Sequence, residues 1–300
     1  MAPATARPGT SHPPAPGRAS VGPVARGLVR ACHPGPTAVV TALATALAAG
    51  LGAPVTTVLA VAGAVLAGQL SIGWSNDWLD AERDALVERV GKPVVQGLVS
   101  AAGLRLAAGL ALAVCTVLSL ATGVVPGVVH VLAVLSGWSY NVALKRTALS
   151  WLPYAVSFGL LPAFVVLALP GRPAPAAWAL VAGALLGTGA HVANVLPDLE
   201  DDHRTGVHGL PHRLGRRGSS VVAPVVLVSA VAVVLLGAAD GGGPSPWAVA
   251  VGVGAGALAA GAGVVGVVRP SSRLPFRLSM AVAALCVGLL VASADRLTPR

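Results

Sequence analysis

Two long stretches without a single Asp, Glu, Lys or Arg constrain this chain most: residues 31–76 and 106–144. Each is far longer than an element of a soluble core and holds two segments of about twenty residues, the length that an α-helix needs to cross a bilayer. Of the 300 residues only 10% are charged, whereas soluble domains carry about 25%. Aromatic residues make up 4% and the apolar runs do not alternate with polar residues, which argues against a membrane barrel. The sequence therefore predicts an all-α integral membrane protein.

Turn signals divide the apolar sequence into nine predicted transmembrane helices. The first run breaks near Gly50–Pro54, the second near Thr122–Gly127, and Pro170–Pro173 separates the fifth helix from the sixth. Spans one and two therefore share residues 31–76. The other seven predicted spans cover roughly residues 97–120, 124–140, 148–169, 174–193, 219–238, 246–268 and 276–294.

The N-terminal residues differ in composition from the rest of the chain. Residues 1–23 are rich in Pro, Ala and Gly, carry two arginines and lack the apolar core of a signal peptide, so we expect a disordered basic tail. Residues 24–300 are expected to form one membrane domain.

The basic residues predict how the protein is oriented. Of the 20 Lys and Arg residues, all but Arg172, Arg296 and Arg300 fall in the tail, after spans two, four, six and eight, or at the adjoining helix ends. Basic residues collect on the cytoplasmic side of membrane proteins. We therefore expect a multi-pass protein of the cell (plasma) membrane with a cytoplasmic N-terminus. This distribution also accounts for the net charge of +9 without a nucleic-acid partner.

Nine of the eleven acidic residues lie in two short clusters, one after span two and one after span six. Since both spans are even-numbered, both clusters are predicted at the cytoplasmic face, where the active site is then expected. The first cluster holds Asp77, Asp80, Glu82, Asp84 and Glu88, and the second holds Asp198, Glu200, Asp201 and Asp202.

The spacing within each cluster has chemical content. On a continued helix, Asp77, Asp80 and Asp84 share one face, and so do Asn194, Asp198 and Asp202, with Pro197 loosening the second helix. Stacked carboxylates repel unless a cation joins them. Magnesium takes hard oxygen ligands and commonly bridges carboxylates to substrate phosphates. Two facing clusters therefore predict a magnesium-dependent diphosphate site.

Other interpretations of the clusters remain open at this point. Acidic residues at helix ends often serve only as solvated capping groups. A cation transporter also uses carboxylates, although near the bilayer midplane rather than at one interface. The D-G-x-x-A-R segment that CDP-alcohol phosphotransferases require does not occur in the sequence.

The motifs resemble those of the UbiA-type intramembrane prenyltransferases over nearly the whole chain. N-D-W-L-D-A-E-R-D at 76–84 is similar to the family's first aspartate-rich motif, and D-L-E-D-D at 198–202 to its second. The segments at 91–97, 140–146 and 206–215 are similar to further family motifs. Departures are Gly209, where the family often has threonine, and His203 and Lys92, where arginine is common.

The resemblance implies a fold, a reaction and a set of site residues. The fold would be nine helices around a central cavity, and the reaction the transfer of an isoprenoid chain from a prenyl diphosphate. Two Mg²⁺ ions would be held by catalytic carboxylates, and the substrates by neighbouring polar groups. The implied metal and catalytic residues are Asp77, Asp80, Asp84, Asp198 and Asp202, and the implied substrate-binding residues are Asn76, Asn194, Lys145, Arg146, Tyr140, Lys92 and Arg204.

The acceptor is the least determined part of the prediction. We favour a small aromatic acceptor of the quinone-precursor type, with a non-aromatic or tetrapyrrole acceptor as the alternative. Arg30 and His33 fit either substrate binding or interfacial anchoring, and His191 fits either a cavity role or a buried hydrogen bond.

Overall fold

The computed structural model describes residues 21–204, 206–239 and 243–297. Within these ranges the regular elements are α-helices, with short 3-10 turns at Leu144–Arg146 and Leu196–Asp198. The first helix begins at Val21, three residues before the predicted start of the membrane domain. The helices in chain order are α1 (Val21–Ala31), α2 (Pro34–Gly50), α3 (Val55–Leu79), α4 (Ala81–Leu86), α5 (Ala101–Ala121), α6 (Val124–Val142), α7 (Leu152–Leu167), α8 (Ala177–Val195), α9 (Leu199–Arg204), α10 (Leu210–Gly237), α11 (Pro246–Val268), α12 (Leu274–Ala292) and α13 (Ala294–Leu297).

Among the described residues, seven helices are long and apolar enough to cross a membrane: α3, α5, α6, α8 with its following turn, α10, α11 and α12. Two further apolar helices, α2 and α7, are shorter, with 17 and 16 residues. At 1.5 Å per residue they reach only about 25 Å, against about 30 Å for the bilayer core. The protein is thus a multi-pass membrane protein, and its described residues contain seven candidate spans, so the predicted number of nine is not confirmed.

The boundaries of the apolar helices follow local backbone chemistry. Gly52 (φ 73°) and Pro54 separate α2 from α3, and Gly123 (φ 127°) separates α5 from α6. The one large difference concerns α10, which begins at Leu210 although the span was predicted from residue 219. A prediction from hydropathy leaves out the first turns of α10 because they contain arginines. In the structure these turns are helical apart from a kink at Gly215 (φ 66°).

Small residues let the long helices approach closely, as is usual in membrane bundles. A Cβ added at Gly183 of α8 would lie 2.3 Å from the carbonyl oxygen of Phe158 in α7. A Cβ at Gly187, one turn later, would lie 2.5 Å from the carbonyl oxygen of Tyr154. Since real Cβ atoms do not approach oxygen so closely, the α7–α8 contact requires glycine at both positions.

One end of the bundle, termed here the polar end, gathers most of the charged side chains. It contains the start of α2, the ends of α3, α6 and α8, and the start of α12, which are joined by ion pairs. His33 contacts Asp77, Lys145 contacts Asp80, and Arg273 contacts Asp198. The segments after predicted spans two, four, six and eight therefore meet at one end, in agreement with the charge pattern of the sequence.

Candidate active site

The first aspartate cluster is buried at the polar end. Asp77 lies in the last turn of α3, Asp80 at the junction with α4, and Asp84 within α4. The junction stays nearly helical, because the Asp80 amide donates to the carbonyl of Asn76 (3.0 Å) and the Asp84 amide to that of Asp80 (2.8 Å). The predicted shared face is therefore formed, and the exposed fractions of the three aspartates are only 2%, 3% and 1%.

Cationic side chains compensate the buried carboxylates. Lys92 Nζ donates to Asp77 Oδ1 at 2.6 Å and lies 3.8 Å from Asp84 Oδ2. Lys145 donates to Asp80 Oδ1, and Arg83 Nη2 donates to Asp80 Oδ2 at 3.1 Å. Because isolated buried charges are very costly, these pairings explain how three aspartates remain together inside the protein.

Arg89 joins the first cluster to the second. Its Nη1 atom lies 3.6 Å from Asp84 Oδ1, and its Nη2 atom lies 3.3 Å from Asp202 Oδ1. The segment that carries Arg89 is held by Arg30 of α1, which donates to Gln96 Oε1 (2.7 Å) and to the Gly91 carbonyl (3.1 Å). Residues separated by more than a hundred positions in the chain thus share one charged network.

The second cluster is more accessible than the first. Asp198 ends the 3-10 turn that contains Pro197, and it pairs with Arg273 Nη2 at 3.4 Å. Asp202 lies in α9, and its Oδ2 atom is 3.5 Å from Nε2 of His212 in α10. Burial alone would raise the pKa of Asp202, but the contact with His212 and the charge of Arg89 outweigh it and hold this pKa below its ordinary value.

Asparagine and tyrosine side chains lie beside the carboxylates. Asn76 Nδ2 donates to Asn141 Oδ1 at 3.1 Å, and Asn141 in turn donates to Ser75 and to the Ile72 carbonyl. Asn194 is half-buried, one turn before Asp198. Tyr140 is also half-buried and lies within electrostatic reach of both aspartate clusters.

The predicted basic residues divide into three groups. Lys92 and Lys145 lie in the network, and burial lowers the pKa of Lys145 more than the adjacent Asp80 raises it. Arg146 follows Lys145 but is exposed. The side chain of Arg204 lies outside the described part of the structure.

Sequence analysis did not identify several partners of the aspartates. Arg83, Arg89, His212 and Arg273 all contact a predicted metal ligand, and so does His33, whose role was left open. Arg83 and Arg89 could have been found, since Arg83 lies within the first motif and Arg89 five residues after it. His212 and Arg273 carry no such signal because they come from distant helices.

A cavity lies below the first cluster, between α2, α3, α6 and α7. Its volume is about 30 Å³, room for about one or two water molecules. Ile72, Gln69 and Val65 line it along α3, and Phe158 and Leu161 line it along α7. Counted at 1.5 Å per residue, these α3 positions lie about 8–18 Å below Asp77. The charged end of the protein is thus followed by a largely apolar space within the bundle.

These features define a class of protein: a multi-pass membrane protein with carboxylates and cations interleaved at one end of its helices, above an apolar cavity. A sequence model of the UbiA prenyltransferase family matches residues 37–285. The chain belongs to this family, and the protein is a prenyltransferase. No protein of curated function is significantly similar in sequence to the chain.

Solved structures of UbiA homologues share the fold at low sequence identity. The apo homologue from Aeropyrum pernix K1 has a TM-score of 0.67 and 18% identity over 85% of this chain and 97% of its own. The homologue from Archaeoglobus fulgidus bound to GPP and Mg²⁺ has a TM-score of 0.65 and 15% identity over 90% and 99%. The structure of a digeranylgeranylglyceryl phosphate synthase has a TM-score of 0.62 and 15% identity over 91% and 99%.

Proposed function

We propose that this enzyme transfers an isoprenoid chain from a prenyl diphosphate to a small aromatic acceptor within the membrane, in a reaction that depends on Mg²⁺. The observation that carries the proposal is the meeting of the two aspartate clusters at one end of the bundle, where Arg89 contacts both Asp84 and Asp202. The Archaeoglobus fulgidus homologue, bound to GPP and Mg²⁺, supports the donor and the metal.

The carboxylates fit magnesium by their chemistry. Among the described residues, no group of three or more His, Cys, Asp or Glu side chains is gathered tightly enough to hold an ion alone. Magnesium, however, usually takes only one or two carboxylates and completes its shell with water and substrate phosphate. Asp84 Oδ1 is buried and accepts no hydrogen bond in the described structure, so it can serve as an oxygen ligand once the arginines 3.6 Å away, Arg83 and Arg89, give way to the metal.

We assign two ions to the site, one for each cluster. Asp77, Asp80 and Asp84 would hold one of them, and Asp198 and Asp202 the other, with Asn76 and Asn194 supplying oxygens or holding waters. When bound, the metal neutralises charge that develops on the diphosphate leaving group.

The basic residues have a second role in this proposal. Lys92 and Lys145 bind carboxylates in the absence of a ligand, and they can turn to phosphate oxygens once metal has taken their place. Charge-assisted hydrogen bonds of this kind are about twice as strong as neutral ones. Arg146 and Arg204 are proposed as further phosphate contacts on the accessible side.

The apolar lining of the cavity below the clusters suits an isoprenoid chain, but the volume of about 30 Å³ requires the surrounding helices to move apart before the chain can enter. With the diphosphate at the polar end, the chain would extend along α3 past Ile72 towards Val65. Phe158 and Leu161 on α7 supply the opposite apolar wall. A water-poor cavity of this kind protects an allylic carbocation from hydrolysis until the acceptor attacks it.

We also propose the orientation and organisation predicted from the sequence. The polar end would face the cytoplasm of the cell membrane, because it carries most of the basic residues. Helices α2 and α7 would complete a set of nine spans around the central cavity. Of the predicted basic tail, residues 1–20 lie outside the described residues, and residues 21–23 belong to α1.

The test is prenyl transfer by the purified protein in lipid nanodiscs with Mg²⁺, geranyl diphosphate and a panel of aromatic acids, read by mass spectrometry. We expect a prenylated product that disappears with chelator and with either Asp77→Asn or Asp198→Asn. The matched control is Glu82→Gln, which also removes one negative charge from the first cluster but lies at an exposed position.

Each other outcome has a distinct meaning. If the donor is consumed but only a non-aromatic or tetrapyrrole acceptor is prenylated, the acceptor class proposed here is wrong. If the control loses activity as fully as the aspartate variants, the carboxylates act only through their overall charge. If neither metal nor donor binds, the proposed site is wrong, and a transport assay becomes the next measurement.

A further inference from the structure

A buried histidine next to the site lacks a hydrogen-bond partner that its chemistry requires. His191 of α8 is 1% exposed. Its Nε2 atom lies 3.1 Å from the hydroxyl oxygen of Ser150. Its Nδ1 atom is buried and has no hydrogen-bond partner in the described structure. Leaving a buried polar group unpaired destabilises a protein, so the unpaired nitrogen needs an explanation.

The contacts of Ser150 determine which nitrogen carries the proton. The Ser150 oxygen already accepts a hydrogen bond from the amide of Leu210 at 2.8 Å. In the described structure, the hydroxyl proton of Ser150 has one contact, the contact with His191. A serine oxygen can accept a second hydrogen bond, but the described structure offers the Ser150 proton no other acceptor, so we assign Nε2 of His191 as the acceptor. The imidazole proton then resides on Nδ1, which is a donor without an acceptor.

Aromatic rings surround His191 between the site and the cavity. The imidazole stacks on Tyr154 with a centroid distance of 4.5 Å and meets Tyr140 edge to face at 5.5 Å. Tyr154 also stacks on Phe158, which lines the cavity below the clusters. Tyr140 and Tyr154 are both half-buried, so this aromatic group borders accessible space.

Gly209 packs directly against the Ser150 hydroxyl that contacts His191. A Cβ at Gly209 would lie 2.7 Å from the Ser150 hydroxyl oxygen and 2.9 Å from the Lys145 carbonyl oxygen. Any larger residue, including the threonine that the family often has here, would displace Ser150. The chain thus carries a glycine where one is needed to keep Ser150 against His191.

We infer that His191 selects the acceptor: its Nδ1–H group donates a hydrogen bond to an oxygen of a planar acceptor that packs against Tyr140 and Tyr154. The acceptor class is an aromatic compound with a carboxylate or carbonyl oxygen next to the ring. Because Nδ1 is closed off from solvent, the side chains packed around it, Tyr140 among them, have to move for this oxygen to reach it. The inference rests on the proposed function and assigns a determinant of its substrate.

Two substitutions separate this role from a structural one. The amide nitrogen of asparagine can replace the donor Nδ1 of histidine, whereas the amide oxygen of glutamine can replace the acceptor Nε2. The experiment is to measure KM for the acceptor 4-hydroxybenzoate and for the donor geranyl diphosphate, with the protein in nanodiscs with Mg²⁺. For His191→Gln we expect the acceptor KM to rise about tenfold or more, the loss of one hydrogen bond to a charged group. For His191→Asn we expect the acceptor KM to stay near that of the wild type, and the donor KM to be unchanged in both variants.

The opposite pattern would overturn the inference. If His191→Gln behaves like the wild type and His191→Asn loses acceptor binding, His191 acts only by holding Ser150. If both variants unfold, the wild-type protein is tested instead. Its KM for phenol, which lacks the carboxylate, must be at least about tenfold above its KM for 4-hydroxybenzoate. Equal KM values would exclude the assigned hydrogen bond, and so would a wild type that prenylates no member of a panel of aromatic acids.

The proposed function is tested separately in the same samples. Mg²⁺-dependent release of diphosphate from geranyl diphosphate by the wild type reports on the donor site without any acceptor. If this release is absent, the proposed function fails and the inference fails with it. If it is present and the pattern of the two variants is reversed, only the assignment of His191 is wrong.

Discussion

Replacing Lys92 should change metal binding and donor binding in opposite directions. Lys92 donates to Asp77 at 2.6 Å and lies 3.8 Å from Asp84, so it occupies the carboxylates in the absence of a ligand. In Lys92→Met, a metal ion no longer displaces this ammonium group, and metal binding without donor should become tighter. The donor diphosphate, however, loses a cationic partner and should bind more weakly.

The size of both effects follows from the contact that is removed. A hydrogen bond to a charged group contributes about 1.5–3 kcal/mol, and 1.36 kcal/mol corresponds to about tenfold in affinity. We therefore expect a change of about ten- to hundredfold in each direction. The low exposure of Lys92, 20%, keeps screening by salt modest.

The assay uses Mn²⁺ as a paramagnetic substitute for Mg²⁺ in nanodiscs, with free metal measured by electron paramagnetic resonance. Donor affinity is measured with geranyl S-thiolodiphosphate, which does not react. Arg105→Met is the matched control because it removes one positive charge from an exposed position on α5. If metal and donor affinity both fall in Lys92→Met, Lys92 does not compete with the metal and the reasoning is refuted.

Two further predictions concern the membrane-embedded part of the bundle. Gly183→Ala should lower the free energy of unfolding by about 1–3 kcal/mol, because the new Cβ would lie 2.3 Å from a backbone carbonyl oxygen of α7. The control is Gly254→Ala, which should not lower it because nothing lies within 4 Å of the new Cβ. Equal losses of stability in denaturant titrations of the two variants would contradict the packing described. Ser119→Ala should also destabilise the protein, by about 1–3 kcal/mol, because it removes the hydroxyl that lies 2.7 Å from His130 Nδ1 in the buried interior. The control is Ser229→Ala, which removes an exposed hydroxyl on α10. If thermal unfolding does not distinguish the two variants, the assignment is wrong.

The division into helices could be predicted where the chain itself carries the signal. Gly52 and Pro54 break the first apolar run because their backbone geometries end one helix and start the next. The start of α10 could not be predicted from hydropathy, since its first turns are basic and extend beyond the apolar stretch. The difference between nine predicted spans and seven candidate spans has a similar origin, because hydropathy does not fix how many residues of an apolar run are helical.

The aspartates of the site could be predicted because their spacing along a helix is local information. Asp77, Asp80 and Asp84 are buried on one face as expected. The partners of the carboxylates could not be predicted, because a pair such as Arg89 and Asp202 is brought together only by the packing of distant helices. The unpaired nitrogen of His191 is likewise visible only once Ser150 and Leu210 have been placed around it.

In the proposed site, both aspartate clusters hold the donor through metal. Equilibrium binding of geranyl S-thiolodiphosphate to the protein in nanodiscs, with and without Mg²⁺, tests it most directly. We predict Mg²⁺-dependent binding by the wild type and Glu82→Gln. We predict a loss on the order of a hundredfold in Asp77→Asn and in Asp198→Asn, since each would remove a charged oxygen that holds the metal, and a contact to a charged group contributes about 1.5–3 kcal/mol. Donor binding that survives without Mg²⁺, or that depends on one cluster alone, would contradict the account.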